Sequence, residues 1–518
     1  MTSNPSVPEA ATSVKVPEVA RRFHAVCDQV TGSVLCAMVV FGPWAFGTTE
    51  PWSIWSMNAG GLLLGALLLS KWAVRSSCGY YPPVWGRAGG EGCPSVPRDS
   101  DRAPGLAVRK NERSPGWATK ALAALTAVVL AYCFVSALNA RATLTADLLQ
   151  FNYRKCISWL PHSYDATLSW AAFWRYLALA AMFWAARDWL LLKTRADREH
   201  LKQASARSAL EGGCFIPRRL KLLLWVVCLN GAFLACEGIA QRALGGTKLL
   251  WLVEPGLNKT PDSQFGPYAY RSNAAQLFLL VWPLAVGFWW LLRRRARQDA
   301  GQTKAHNHLL ACVLVMAVAP LMSLSRAGTV LGGLSVVAAL GLLLSSRSRH
   351  GKPPWGLIYA LGAAALLGLC LEWPQLYSRF RQDSLDSHRF ETWRNTWQII
   401  KDFPVFGTGP GTFSSVYGLY RGSIFEEWDA YAHNDWLETL MTFGAVGTVL
   451  VLSALGLALA SRFVGKGIYL HRLFAGFIYV SLGSCLLYGL ADFPFQVYSV
   501  LFLFLLECAM LSSLSRAP

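Results

Sequence analysis

The stretch Ala432-His433-Asn434-Asp435-Trp436 sets a histidine where a polar loop meets a long apolar run. An imidazole exchanges a proton near neutral pH, so a histidine held at the mouth of a helix is a candidate general acid or base. Asp435 and Glu438 have capping-box spacing, which predicts a helix beginning just after the histidine. Nine residues separate Asn434 from Gly444, and Gly447 follows three later. Both glycines fall on one helix face, which lets a neighbouring backbone approach closely. An interfacial histidine on an ordinary packed helix carries the same signature, and the rest of the chain has to discriminate.

The elements that would position this histidine lie upstream. Between Arg389 and Ile400, the side chains Phe390, Trp393, Trp397 and Ile400 share one face, predicting an amphipathic helix lying along the membrane surface or on the bundle. Lys401-Asp402-Phe403-Pro404 ends it, and Gly407-Thr408-Gly409-Pro410-Gly411 follows. In a phosphate loop such glycines offer bare amides to an anion. Here the run follows a helix, not a strand, which excludes a dinucleotide fold and favours a tight turn able to bring Arg389 and His433 together. A second His-Asn pair, in Ala305-His306-Asn307-His308, has no glycines at the required distance and is expected to be irrelevant to activity. The 13 cysteines form no CxxC or Cys/His cluster, so neither a metal site nor a disulfide framework is expected.

The chain has 518 residues, 53% hydrophobic and 15% charged, with apolar runs recurring from end to end. This predicts an all-α polytopic membrane protein with about twelve spans: 30–47, 54–74, 118–138, 168–192, 219–241, 273–293, 307–323, 327–346, 355–371, 435–460, 470–490 and 495–514. Every second loop is basic, as around Arg75 to Arg113, Lys193 to Arg219, Arg293-Arg294-Arg295, Arg347 to Lys352 and Arg462 to Arg472. Cytoplasmic loops collect Lys and Arg, so the net charge of +18 reads as topology and excludes a nucleic-acid footprint. Residues 1–29 become a cytoplasmic tail without a signal peptide, 30–371 hold spans 1–9 with flexible cytoplasmic segments at 76–117 and 193–218, and 435–518 hold spans 10–12 and a short tail. Both termini fall in the cytoplasm. Residues 372–434 form one large periplasmic loop containing short helices, nearly balanced with eight acidic and six basic residues, and chemistry is expected there. Arg326 and Arg271 are outward-facing cations that break the topology rule, which marks them as candidates. Glu237 and Glu507 lie within spans and should face the interior.

Several of these pieces carry a resemblance. Arg389 with Trp393, Pro404-Val405-Phe406-Gly407-Thr408-Gly409-Pro410-Gly411, and His433-Asn434 followed at distance by Gly444-Ala445-Val446-Gly447 are similar to the bacterial O-antigen ligase and polymerase superfamily. So are Ser325-Arg326-Ala327-Gly328 and Asp492-Phe493-Pro494, and the resemblance is sharp from about Gly266 to Pro494. It implies a glycosyltransferase that moves a glycan from undecaprenyl pyrophosphate to a hydroxyl on the periplasmic face of the inner membrane, with no cofactor and no metal. The acceptor is the lipid A core in ligases and the growing polymer in polymerases; related enzymes glycosylate proteins. The chemistry fits: Arg326 and Arg389 would bind the pyrophosphate in bidentate fashion, and His433 would take the acceptor's proton. Arg271, Asn434, Gly409 and Gly411 are the expected further substrate contacts. Asp492 is expected to cap a helix. A twelve-span bundle with both termini inside also suits a transporter, but a single polar loop of about sixty residues and the absence of a repeat favour the enzyme.

Overall fold

The computed structural model describes residues 17–85, 116–145, 150–199, 216–256, 258–298, 305–345, 355–381, 384–421, 430–464 and 471–514. The tail to residue 16, most of the 76–117 and 193–218 segments, and 422–429 of the large loop lie outside the described residues. Among the described residues the long helices are α1 (Glu18–Trp44), α2 (Pro51–Ser77), α3 (Trp117–Leu138), α4 (Ala166–Leu191), α5 (Arg218–Ala243), α6 (Arg271–Gln298), α7 (Ala305–Met322), α8 (Arg326–Ser345), α9 (Trp355–Phe380), α10 (Ser384–Asp402), α11 (Asp435–Val464), α12 (Arg472–Tyr488) and α13 (Tyr498–Leu514). Each expected span coincides with one of these helices, α10 being the amphipathic helix of the large loop. Among the described residues, eight (α1, α2, α3, α5, α6, α7, α8 and α11) are long and apolar enough to cross a membrane, and α12 and α13 are apolar but shorter. α1 starts at Glu18, well before the apolar run, with Arg22 bonded to Glu18 across one turn. Among the described residues the departure from all-α is one antiparallel hairpin, β1 (Ala142–Thr145) on β2 (Gln150–Tyr153), with Ala142 opposite Tyr153.

α6 is the axis of the bundle and is buried along its membrane-crossing length. It packs against α5, α7, α8, α12 and α13, and its face meets α12 where Gly287 leaves room for Phe474 and Phe477. Trp282 and Phe288 are fully enclosed there. On the flank, Gly61 of α2 lies against the backbone of Ala178 in α4, where a Cβ would come within 2.5 Å of the carbonyl oxygen. Glu507 is buried and accepts a hydrogen bond from Ser481 at 2.7 Å, while Glu237 turns both carboxylate oxygens into the protein.

The two ends of the bundle differ in chemistry. At one, Lys71 (fully buried) lies 2.9 Å from Asp188 and 3.5 Å from Asp28; Arg75 binds Asp188, and Arg219 binds Asp28. These pairs tie α1, α2, α4 and α5 together near the basic loops. Pro83–Trp85, the described start of the 76–117 segment, is laid against residues 191–193, with the Trp85 amide donating to Leu191 O at 2.8 Å. α5 runs from Arg219 at this end to Arg242 at the other, and the loop His433, Arg389 and the starts of α6 and α8 gather at the Arg242 end.

There α11 is broken. Gly444 has φ 59 and ψ −172, and the chain on either side remains helical. The segment after α10 enters this break and takes up the opened backbone groups. Thr408 N and Gly409 N donate to Met441 O and Thr442 O, both at 2.9 Å, while Ala445 N and Val446 N donate to Pro404 O (2.9 Å) and Val405 O (3.1 Å). The Tyr132 hydroxyl sits 2.8 Å from both Phe406 O and Phe443 O and shares its proton between them. Irregular backbone persists in an apolar bundle only when its polar groups are satisfied in this way. The expected close approach at the glycines is therefore present, but as a break at Gly444, not a continuous small-residue face.

Candidate active site

His433 precedes α11 in the left-handed region, φ 50, a conformation that costs a non-glycine residue about 1–3 kcal/mol. Its Nδ1 lies 3.0 Å from Asp492 Oδ1, in the turn between α12 and α13. The imidazole keeps about a quarter of its surface exposed, whereas Asp492 is buried. Burial alone would raise the Asp492 carboxyl, but the hydrogen bond and charge of His433, with Arg389 behind them, outweigh it and hold the group below the usual carboxylate range. An ionised carboxylate only accepts, so Nδ1 carries the hydrogen, and in the neutral form of the ring Nε2 presents a lone pair.

Around this pair lies a connected polar layer. The Tyr270 hydroxyl donates to Asp492 Oδ2 at 3.3 Å and accepts from Arg389 Nη2 at 3.4 Å; Arg389 Nη1 donates to Ala491 O at 3.1 Å. Burial, then the charge of Asp492, push the Tyr270 phenol up to about 12 against the pull of Arg389, so it remains a donor at neutral pH. Ser325, the residue before Arg326, is 2.6 Å from the Tyr488 hydroxyl and 3.1 Å from Ser272. Phe493 lies edge-on to the His433 ring at 5.0 Å and stacks on Tyr270 and Tyr431, walling one side of the imidazole.

The expected site residues separate into two groups. His433 and Arg389 are brought together, joined through Asp492 and Tyr270, and Arg326 starts α8 at the same end beside the bonded Ser325. Arg271 donates to Asp262 O at 2.6 Å and, with Arg242 on Pro261 O and Gln264 O, holds the 261–264 turn. Asn434 caps α11, its Oδ1 accepting from Leu437 N at 3.1 Å. The expected Asp435 cap is corrected accordingly: Asp435 accepts from Phe495 N at 2.8 Å and ties α11 to the α12–α13 turn. Glu438 does reach back, accepting from Ala432 N at 2.9 Å. Gly409 and Gly411 serve packing: a Cβ on Gly409 (φ 106) would meet Ser163 at 2.6 Å and one on Gly411 (φ 80) would meet Ala172 and Leu168 at 3.1 Å. With its amide given to Thr442 O, Gly409 is part of a turn and not of an anion loop.

α10 is present as the expected helix, and the structure shows which of its faces the bundle covers. Thr392, Asn395, Thr396, Ile399 and Ile400 form its buried face, while Phe390 and Trp397 are exposed. On the buried face Thr396 Oγ1 donates to Thr392 O at 2.7 Å, while half-buried Trp393 turns its Nε1 to Ala432 O at 2.9 Å. Sequence reasoning missed Tyr270 and assigned Asp492 to capping. The Asp492-Phe493-Pro494 motif was a usable signal, but nothing in its spacing specifies a contact with a residue 59 positions earlier.

This arrangement sets a histidine–carboxylate pair beside an arginine at one end of an apolar helical bundle. Residues 311–452 match the model of a family described as O-antigen ligase, a segment running from α7 into α11 and including Arg326, Arg389 and His433. Over that segment the chain is similar to the O-antigen ligase family, which bears out the resemblance to the ligase and polymerase superfamily and supports a membrane glycosyltransferase of ligase or polymerase type. No curated protein and no solved structure matches the chain.

Proposed function

We propose that the protein transfers a glycan from undecaprenyl pyrophosphate to an acceptor hydroxyl on the periplasmic face of a bacterial inner membrane, with both termini cytoplasmic, and that it does so as an O-antigen ligase with the lipid A core as acceptor. The observation that carries this reading is the His433–Asp492 pair at 3.0 Å with Arg389 alongside. His433 Nε2 takes the proton of the acceptor hydroxyl while that oxygen attacks the anomeric carbon. The bond from that carbon to the phosphate oxygen breaks, and undecaprenyl pyrophosphate leaves with the electron pair. Asp492 stabilises the imidazolium as it forms. Arg389 and Arg326 meet the charge growing on the departing pyrophosphate, for which a guanidinium is suited by its fixed fork.

The test is transfer in proteoliposomes supplied with a polyprenyl-pyrophosphate glycan and a lipid A core acceptor. The wild-type protein should join them and His433→Ala should not, with both proteins present in the membrane in equal amount. A deletion strain separates the two forms of the reaction: loss of all polymer on the lipid anchor indicates a ligase, and a single attached repeat unit indicates a polymerase. Equal transfer by His433→Ala would remove the mechanism.

A further inference from the structure

Two side chains outside the reacting layer grip one residue. Ala432, the residue before His433, is fully buried. Its carbonyl oxygen accepts from Trp393 Nε1 at 2.9 Å, and its amide donates to Glu438 Oε2 at 2.9 Å. The two peptide units flanking Ala432, the second of which leads into the left-handed residue His433, are therefore each held by a side chain, one from α10 and one from α11. The charge facing Glu438 from α4 is Arg175, and Asp435 faces it from its own helix.

α10 makes a second contact of the same kind. Arg389 lies one turn before Trp393, on the same face. Its Nη1 donates to the carbonyl of Ala491, the residue before Asp492, at 3.1 Å. One turn of one helix thus holds the carbonyl preceding each member of the His433–Asp492 pair, although the two residues come from turns far apart in the chain. A rigid helix turn spanning two carbonyls sets the distance between them.

We propose that Trp393 and Glu438 are positioning residues: α10 acts as a gauge that fixes His433 against Asp492, and Glu438 locks the turn from the other side. This rests on the glycosyl-transfer reading above. Held geometry matters because a misplacement of ~1 Å at a reacting group costs about 10²-fold in rate.

The experiment compares Trp393→Phe, Glu438→Gln, Glu438→Ala and the double variant Trp393→Phe/Glu438→Ala with wild type in proteoliposomes. Amide exchange is followed in parallel by mass spectrometry, which needs no substrate. Trp393→Phe keeps the ring and removes the donor; Glu438→Gln keeps an acceptor, and Glu438→Ala does not. The expected result is a fall in kcat of roughly 10–100-fold for Trp393→Phe and for Glu438→Ala with KM for the donor unchanged, rescue by Glu438→Gln to within about threefold, and a double variant short of the product of the two losses. Exchange should rise in the peptide covering 430–436 and stay as in wild type in α6 and α13. The proposal is overturned if Trp393→Phe and Glu438→Ala keep wild-type kcat, or if exchange rises throughout the bundle, which is a general packing loss. An inactive wild-type protein whose variants still show the local rise in exchange would sink the glycosyl-transfer reading and leave the gauge standing.

Discussion

Asp492→Asn is the substitution that isolates the role of charge in the proposed base. Asp492 is surrounded by donors: His433 Nδ1 at 3.0 Å and Phe493 N at 3.2 Å on Oδ1, and the Tyr270 hydroxyl at 3.3 Å on Oδ2. An asparagine of nearly the same shape fits the space but brings an NH2 group among groups that also donate. Turned towards His433, the amide nitrogen forces the hydrogen onto Nε2 and removes the lone pair that would receive the acceptor's proton. Turned the other way, it keeps the tautomer but contributes no negative charge as the imidazolium forms. General base catalysis is worth about 10²–10⁴-fold, so kcat should fall by that factor, corresponding to about 3–5 kcal/mol of barrier. KM for the donor should hold, since the arginines are untouched. The assay is initial-rate transfer in proteoliposomes at saturating acceptor, with folding checked by thermal melting. A kcat within about threefold of wild type would refute the reasoning, because the carboxylate would then be a tether and nothing more.

The remaining predictions concern the same end of the bundle. Because the folded Asp492 carboxyl sits below its ordinary value, its stabilisation is complete above the unfolded carboxylate range near ~3.9 and drains away as pH falls through the lower folded value. Melting temperatures measured from about pH 6 down to 3 should therefore drop more steeply for wild type than for Asp492→Asn. Arg389→Ala should abolish transfer while the protein stays in the membrane, and Arg389→Lys should rescue poorly, since one ammonium cannot bind Ala491 O and Tyr270 together with a phosphate; wild-type transfer by Arg389→Lys would contradict this. Gly444→Ala would drive a Cβ into Gly407 N and Val405 O at a positive φ, so the yield of folded protein and its melting temperature should both fall, by an amount exceeding the ~1 kcal/mol of an ordinary glycine-to-alanine change. His306→Ala, in the second His-Asn pair at the start of α7, should leave transfer within about twofold of wild type by the same initial-rate assay.

Much of the architecture was legible because burial in a bilayer leaves a one-dimensional signal. Apolar runs of helical length mark α1 to α9 and α11 to α13 without reference to any contact. α10 was found by its period, which left open whether its aromatic face meets the bundle or the membrane surface. Hydrophobic periodicity reports where the apolar stripe is, and only the neighbours of a helix say which face they cover: Thr392, Asn395 and Thr396 are buried, while Phe390 and Trp397 are exposed. Gly444 was legible as a close-approach residue and illegible as a break, because its partner is a segment that becomes its neighbour only after α10 has packed.

For the site, the amino-acid sequence alone determined which residue types were available: one histidine at the mouth of an apolar helix, and arginines in loops where topology does not ask for cations. Side-chain chemistry is local, so this much is readable from the chain. The tertiary structure decided which of them meet. It set Asp492 on His433, sent Arg271 to Asp262 O and Asn434 to a helix cap, and filled the glycine turn with packing. Pairings of this kind depend on where helices cross, and crossing points follow from the fit of many side chains at once, which no spacing within a single segment encodes.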